Sequence, residues 1–158
     1  MSRLEIGAKA PSFSLTNHDG EVISSRSLKG QRYVLYFYPA DDTPGCTVEA
    51  CGFNDELEGL TDLGVRVIGV SPDGADSHRA FRTKYALGFD LLSDPATTTM
   101  AAYGAYGEKT LYGKKVVGVI RSTFVVGPTG LIEQAWYGPR TQGHAQRVRA
   151  AIAGSSQS

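Results

Sequence analysis

The sequence predicts a single α/β domain: a mixed central sheet with helices on both faces, entered through an N-terminal hairpin. Three observations carry this reading. Strand-like apolar runs at Tyr33 to Tyr38 and Val65 to Val70 are each followed by a helical pattern, and such alternation marks βαβ units with parallel strands. An antiparallel hairpin signal comes late in the chain, around Gly127-Pro128-Thr129-Gly130. The 158 residues show no repeat, low-complexity segment or linker, and a chain of that length buries roughly two-thirds of its unfolded surface as one domain.

Taken in order, Phe13-Ser14-Leu15 and Val22-Ile23 flank the turn Asp19-Gly20 and give a small hairpin. Ser27-Leu28-Lys29-Gly30 reads as a helical turn leading out of it. Tyr33 to Tyr38 is unbroken apolar sequence ended by Pro39, the pattern of a central strand buried on both faces. Thr43 is placed as an N-cap, Pro44 stands where a missing N–H costs nothing, and helical composition continues to Leu63 before Gly64. The strand Val65 to Val70, a helix around Asp76 to Ala86, a short strand near Phe89 to Leu92 and a short helix over Thr97 to Tyr103 follow. Gly104 to Lys115 carries no clear pattern. Val116 to Val126 and Leu131 to Tyr137 form the antiparallel hairpin, and Thr141 to Ala153 closes the chain as a helix with Val148 and Ile152 facing inward and Gly154 as its stop. Residues Ser155 to Ser158 are expected as a frayed tail on this single 1–158 domain. The layout is thioredoxin-like. In open α/β sheets, sites form beyond the C-terminal ends of the strands, and Cys46 follows the Tyr33 to Tyr38 strand directly.

Sixteen Lys plus Arg balance sixteen Asp plus Glu, with no block of like charge, so the chain has no electrostatic footprint for nucleic acid or an anionic membrane. No stretch approaches the ~18 apolar residues of a membrane span, and Met1 to Gly7 lacks the apolar core of a signal peptide. A cytoplasmic monomer acting on a small substrate is expected. In that reducing compartment two cysteines stay mostly as thiols, which favours transient, catalytic or sensing chemistry over a structural bridge.

Cys46 is the third residue of the expected helix. Unpaired N–H groups and the positive end of the macrodipole stabilise negative charge there, so a thiol with an ordinary pKa of about 8.5 is expected to shift downward. The bland alternative is a small buried hydrophobe, which the Thr-Pro cap argues against. Cys51 leaves two readings open. Five helical residues separate two Cα atoms by roughly 8.6 Å and turn the side chains about 140° apart, whereas a disulfide needs Cα atoms within about 7 Å. Either Cys51 is inert core or a bridge to Cys46 is linked to unwinding of the helix start. Arg121, placed inside a strand on one face with Val117, Val119, Thr123 and Val125, needs an anionic partner. That partner is a thiolate or bound substrate, or else a structural carboxylate such as Glu49 or Asp55. Thr43 has a hydroxyl proton that a substrate could receive. His78 and His144 could in principle pair with a cysteine, but neither has a supporting motif and both read as surface residues. The scattered histidines and the cysteine spacing do not form a metal site.

The string Phe37-Tyr38-Pro39-Ala40-Asp41-Asp42-Thr43-Pro44-Gly45-Cys46-Thr47-Val48-Glu49-Ala50-Cys51 resembles a peroxiredoxin, through its Pro-x-x-x-Thr-x-x-Cys motif, and most closely the bacterioferritin comigratory protein or peroxiredoxin Q subfamily. The likeness extends from Gly7-Ala8-Lys9-Ala10-Pro11 to Arg121-Ser122-Thr123-Phe124-Val125. It implies a thiol peroxidase for hydrogen peroxide and organic hydroperoxides that uses no metal, haem or flavin. Cys46 would be the peroxidatic cysteine, Thr43 would hydrogen-bond the peroxide, and Arg121 would support the thiolate and the developing charge. Pro39 would shield the site, the Gly45 and Cys46 N–H groups would complete the cradle, and Glu49 would orient Arg121. Cys51 resembles the resolving cysteine of members that form an intramolecular disulfide, reduced by a thioredoxin-type partner. The alternatives are a general thiol-disulfide oxidoreductase, which the Cys-x4-Cys spacing disfavours, and a peroxide sensor or chaperone.

Overall fold

The computed structural model of the chain describes residues 3–156. It runs β1 (Ser14–Asn17), β2 (Val22–Ser24), β3 (Arg32–Phe37), α1 (Pro44–Asp55), α2 (Leu57–Asp62), β4 (Val65–Ser71), α3 (Ala75–Tyr85), β5 (Asp90–Ser93), α4 (Thr98–Ala102), β6 (Tyr106–Leu111), β7 (Lys114–Val119), β8 (Ser122–Val126), β9 (Ile132–Tyr137) and α5 (His144–Ser156). Seven strands form one sheet in the order β2-β1-β5-β4-β3-β8-β9, and β6 and β7 form a separate ribbon. β3 pairs in parallel with β4, and β4 with β5, while β8 lies antiparallel to both β3 and β9. The N-terminal hairpin joins the sheet through β1 and β5.

The apolar run of β3 is explained by two cores. Val34 and Tyr36, with Tyr38 just beyond the strand, enter one; Tyr33, Leu35 and Phe37 enter the other, as the period-2 alternation of a strand requires. The helical cover of these cores is unequal. Ala50 and Phe53 of α1, Leu60 of α2, Phe81 of α3 and Val148 and Ile152 of α5 fill the first core. The second receives Met100 of α4 together with Phe13, Leu28 and Tyr103 from outside the long helices. The result is the expected mixed sheet of a thioredoxin-like fold with helices on both sides, although four of the five lie on one.

Several elements differ from their sequence-based expectation. The helix expected from Pro44 to Leu63 is interrupted at Glu56, whose φ of −93° and ψ of 0° separate α1 from α2. The bonds from Glu56 N–H to Gly52 O and from Leu60 N–H to Glu56 O persist, so the apolar stripe Ala50, Phe53, Leu57, Leu60 continues and hides the break. The strand expected from Val116 to Val126 is two strands. Up to Val119 it pairs with β6, and after Ile120 and Arg121 it pairs with β3 and β9. Arg121 therefore lies between strands, and Val117 is 69% exposed on the ribbon rather than sharing a buried face with Thr123 and Val125. Alternation in the sequence cannot register a change of partner. The patternless 104–115 stretch supplies β6 and the turn at Tyr112 and Gly113, whose φ values of 52° and 79° suit a tight hairpin.

At the C-terminus α5 begins at His144, after a turn in which Gly143 has a φ of 72°. It passes through Gly154 to Ser156, so the glycine does not stop it and only residues 157–158 of the expected tail lie outside the described residues. Gly in a helix costs about 1 kcal/mol against Ala, which the helix bears at Gly154, itself an exposed position. Ser27 to Gly30 forms successive turns, with Leu28 N–H bonded to Ser25 O and Lys29 N–H to Arg26 O.

Ile152 is 3% exposed, and Ile152→Ala should lower the unfolding free energy in urea by about 2–5 kcal/mol. Val117→Thr, on the exposed ribbon, should shift it by less than about 0.5 kcal/mol. A large loss at Val117 would restore it to the core.

Candidate active site

The C-terminal end of β3 delivers the chain to a short loop, 38–43, and then to the first turn of α1. The loop is tied down at its carboxylates. Asp41 accepts from Tyr38 Oη at 2.5 Å, and its own N–H donates to Asp73 Oδ2 at 2.7 Å. Asp42, at a φ of 56°, accepts from Lys84 Nζ and Tyr85 Oη, each at 2.7 Å. Lys84 and Tyr85 stand at the end of α3, so that helix fixes the conformation of a loop it does not contain.

Thr43 occupies the N-cap position, with a φ of −94° and ψ of 157°, and its carbonyl takes the first helical bond from Thr47 N–H at 2.8 Å. Its side chain makes no capping bond. The hydroxyl donates instead to Ala40 O at 2.9 Å, which corrects the expectation of a capping hydroxyl with a proton to spare. What Thr43 offers outward is an acceptor lone pair. The Gly45 and Cys46 N–H groups precede the first helical bond, so they belong to the unpaired start of the helix.

Cys46 is 1% exposed. Arg121 Nη2 lies 3.4 Å from its Sγ, and Arg121 Nη1 donates to Glu49 Oε1 at 2.6 Å. One guanidinium thus joins the sulfur to a carboxylate one turn further along the same helix. Gly45 permits this approach, since a Cβ there would lie 3.3 Å from Arg121 Nη2. Burial alone would lower the Arg121 pKa; Glu49 and then Cys46 outweigh it and hold the group above its ordinary value. Glu49 moves up to about 7, because burial of its side chain exceeds the stabilisation from Arg121. Its second oxygen, Oε2, has no protein partner. Of the two sequence readings of Arg121, the geometry therefore contains both: a sulfur contact and a carboxylate pair, with Glu49 rather than Asp55.

Pro39 is half-buried within the 38–43 loop. Cys51 is a free, partly buried thiol in an intact stretch of α1. It lines a groove of about 430 Å³ with Val48, Gly52, Asp55, Gly143 and Gln146, so it faces a surface that Cys46 does not. Burial, and secondarily Asp55, raises the Cys51 pKa.

The two histidines read as surface residues are both fully buried. His144 meets Thr123 Oγ1 through Nε2 at 2.8 Å, packs edge-on against Phe53 and Trp136, and is held down to about 4 by burial, with Arg147 and Arg121 adding to the shift. His78 bridges Asp41 and Leu92. The side-chain hydrogen bond to Cys46 Sγ comes from Arg121 and not from a histidine. Asp41 and His78 had no sequence signal, because their pairing spans 37 positions with no local motif.

A family model described as the AhpC/TSA family matches residues 6–135. A putative peroxiredoxin of Mycobacterium tuberculosis is 48% identical over 148 residues, covering 94% of each chain. Peroxiredoxin Bcp of Bacillus subtilis is 40% identical over 141 residues, covering 89% of this chain and 90% of the relative. Among solved structures, a cysteine-to-serine variant of peroxiredoxin Q from Xylella fastidiosa superposes with a TM-score of 0.91 at 33% identity and covers 99% of each chain. The bacterioferritin comigratory protein of Xanthomonas campestris, studied for its alkyl peroxide reduction activity, gives 0.86 at 38% identity over 91% of this chain and 92% of that one.

The raised pKa of Glu49 has a defined sign for stability. Below its unfolded value of 4.5 the carboxyl is protonated in both states; as pH rises toward about 7 the unfolded chain releases the proton first, and stability is lost. Glu49→Gln should therefore flatten the decline of urea stability between pH 4.5 and about 7 relative to the parent chain. Parallel curves for the two proteins would contradict the assignment.

Proposed function

The chain belongs to the AhpC/TSA family, as a peroxiredoxin of the Bcp and peroxiredoxin Q type, and we propose that Cys46 is the nucleophile of its thiol-dependent peroxidase reaction. The observation that carries the assignment is the 3.4 Å contact between Arg121 Nη2 and Cys46 Sγ at the first turn of α1. There the guanidinium and the unpaired N–H groups face the sulfur and are placed to take up negative charge as it develops on the peroxide oxygens.

In the proposed reaction the Cys46 thiolate attacks one oxygen of the peroxide, forming an S–O bond as the O–O bond breaks. The sulfur is oxidised to a sulfenic acid, and the leaving oxygen takes a proton and departs as water or alcohol. Thr43 Oγ1 accepts the peroxide O–H, since its own proton is committed to Ala40 O. The forked guanidinium of Arg121 donates to the oxygens as charge moves onto them. Pro39 walls the approach, and Gly45 leaves room for Arg121. Hydrogen peroxide and organic hydroperoxides are the proposed substrates, the second by extension from the alkyl peroxide activity of the Xanthomonas campestris relative.

Cys51 is proposed as the resolving thiol. It attacks the Cys46 sulfenic sulfur, hydroxide leaves and is protonated to water, and a disulfide forms that a thioredoxin-type dithiol reduces. The regular helix over Pro44–Asp55 sets a condition on that step, since positions five apart on such a helix hold their Cα atoms roughly 8.6 Å apart. The first turns must open, at a cost of several backbone hydrogen bonds worth about 1 kcal/mol net each. The groove beside Cys51 is where the reductant would reach the bridge. A cytoplasmic monomer completes the proposal. The general oxidoreductase and sensor readings are not favoured by the relatives.

Cys46→Ser should abolish peroxide consumption, whereas Cys51→Ser should give one fast oxidation and then stall or over-oxidise to sulfinic acid; rapid turnover by Cys46→Ser would sink the assignment. Arg121→Met should slow the stopped-flow reaction with peroxide, and Arg121→Lys should recover only part of the rate, because a point charge lacks the planar fork. An unchanged rate in Arg121→Met would reduce it to a structural ion pair. Amide hydrogen exchange should quicken over residues 43–54 on oxidation while β4 keeps its protection. A mass-confirmed Cys46 to Cys51 bridge with unaltered protection would exclude unwinding.

A further inference from the structure

His78 takes no part in the reaction as derived above, yet it is fully buried and both of its ring nitrogens are engaged. Nε2 lies 2.9 Å from Leu92 O, and Nδ1 lies 2.7 Å from Asp41 Oδ2. A carbonyl oxygen only accepts, so Nε2 carries a proton. A neutral ring would then present a bare lone pair at Nδ1 to a carboxylate oxygen. The other bonds of Asp41 reinforce the conflict: Oδ1 accepts from Tyr38 Oη at 2.5 Å and Oδ2 from Ser77 Oγ at 2.8 Å. Both oxygens already accept from hydroxyls, so the arrangement that asks least of Oδ2 places the proton shared with His78 on the ring.

We propose that His78 is a buried imidazolium, protonated on both nitrogens, whose pairing with Asp41 is the positioning device that holds the 38–43 loop, and with it the Thr43 oxygen, over Cys46. The Asp41 side chain is 4% exposed and that of His78 is not exposed at all, so water cannot substitute for either partner. His78 fixes the carboxylate from α3 and is itself fixed by β5 through Leu92 O. Asp73, in the loop just beyond β4, fixes the Asp41 N–H. Three elements of the scaffold therefore converge on the residue two positions before Thr43. The inference rests on the reading of Thr43 and Cys46 as the peroxide site, but the protonation of the ring does not.

The test joins a spectroscopic and a kinetic readout. Nitrogen NMR of the imidazole side chains should show both His78 nitrogens as N–H in the parent chain. Asp41→Asn can donate its amide N–H to Nδ1, so it should convert that nitrogen to a bare acceptor while keeping the hydrogen bond. Asp41→Ala and His78→Ala should lower the second-order rate of Cys46 with hydrogen peroxide roughly tenfold to a hundredfold, the cost of a mispositioned group. Alkylation of Cys46 by iodoacetamide, which needs no Thr43, should change far less, and Asp41→Asn should recover most of the peroxide rate lost in Asp41→Ala. A bare Nδ1 in the parent chain would overturn the imidazolium. Equal peroxide rates in Asp41→Ala and the parent, or equal losses toward peroxide and iodoacetamide, would overturn the positioning role. A parent chain inert to peroxide would overturn the peroxidase reading alone, with the pairing still decided by the NMR spectrum.

Discussion

The Arg121 guanidinium is the hinge of the site, because one rigid fork must reach Cys46 Sγ and Glu49 Oε1 together. The other features follow from that demand. The arginine must leave the ribbon and enter the sheet at the C-terminal end of β3, which it does at the step between β7 and β8, where its carbonyl accepts from Gly138 N–H. The helix start must lack a side chain where the guanidinium passes, and Gly45 provides this. A carboxylate must be buried behind it, which is costly for Glu49 and leaves Oε2 without a partner. A buried pair of this kind contributes little to stability but constrains geometry closely, and here the geometry constrained is that of a sulfur.

Helix α1 carries two opposing requirements. Its first turn has to be rigid if Thr43, Gly45 and Cys46 are to form the proposed polar cradle there. The same residues have to open if Cys46 is to meet Cys51. The sequence between them reconciles the two. Ala50 and Phe53 anchor the later part of the helix in the core, while Val48 is 43% exposed and holds little. The exposed Val48 eases the opening only in part, since Cys46 and Glu49 are themselves 1% exposed and must leave their packing for it. The fixed boundary lies on the other side, at Asp41 and Asp42, which α3 grips through side chains.

Much of this was legible in the sequence, for identifiable reasons. β3 was visible because both of its faces are buried and its apolar run is continuous. The helix start was visible because Thr43 and Pro44 are constrained by local backbone chemistry. The partnership of Arg121 with Glu49 was among the readings, since a half-buried cation demands an anion. What escaped depended on distant partners. The exchange of pairing at Ile120 and Arg121 leaves no trace in alternation. The direction of the Thr43 hydroxyl is decided by Ala40 O, three residues back, rather than by the helix it precedes. The burial of His78 and His144 follows from what α3 and α5 pack against, and single histidines give no periodic signal.

The strand order bears on how the chain is made. β3 acquires β4 as a neighbour soon after synthesis, with β5 beyond it, but its other edge waits for β8, and the register of Phe37 with Ser122 spans about 85 residues. At ribosomal rates that interval is on the order of ten seconds. During it the most apolar strand of the protein has one ladder of N–H and C=O groups unpaired, a template for association with other chains. The edge is closed only when Ser122 to Val126 emerges with Arg121 just ahead of it. The same stretch of polypeptide that brings Arg121 to the proposed reactive centre thus ends the nascent chain's exposure to aggregation.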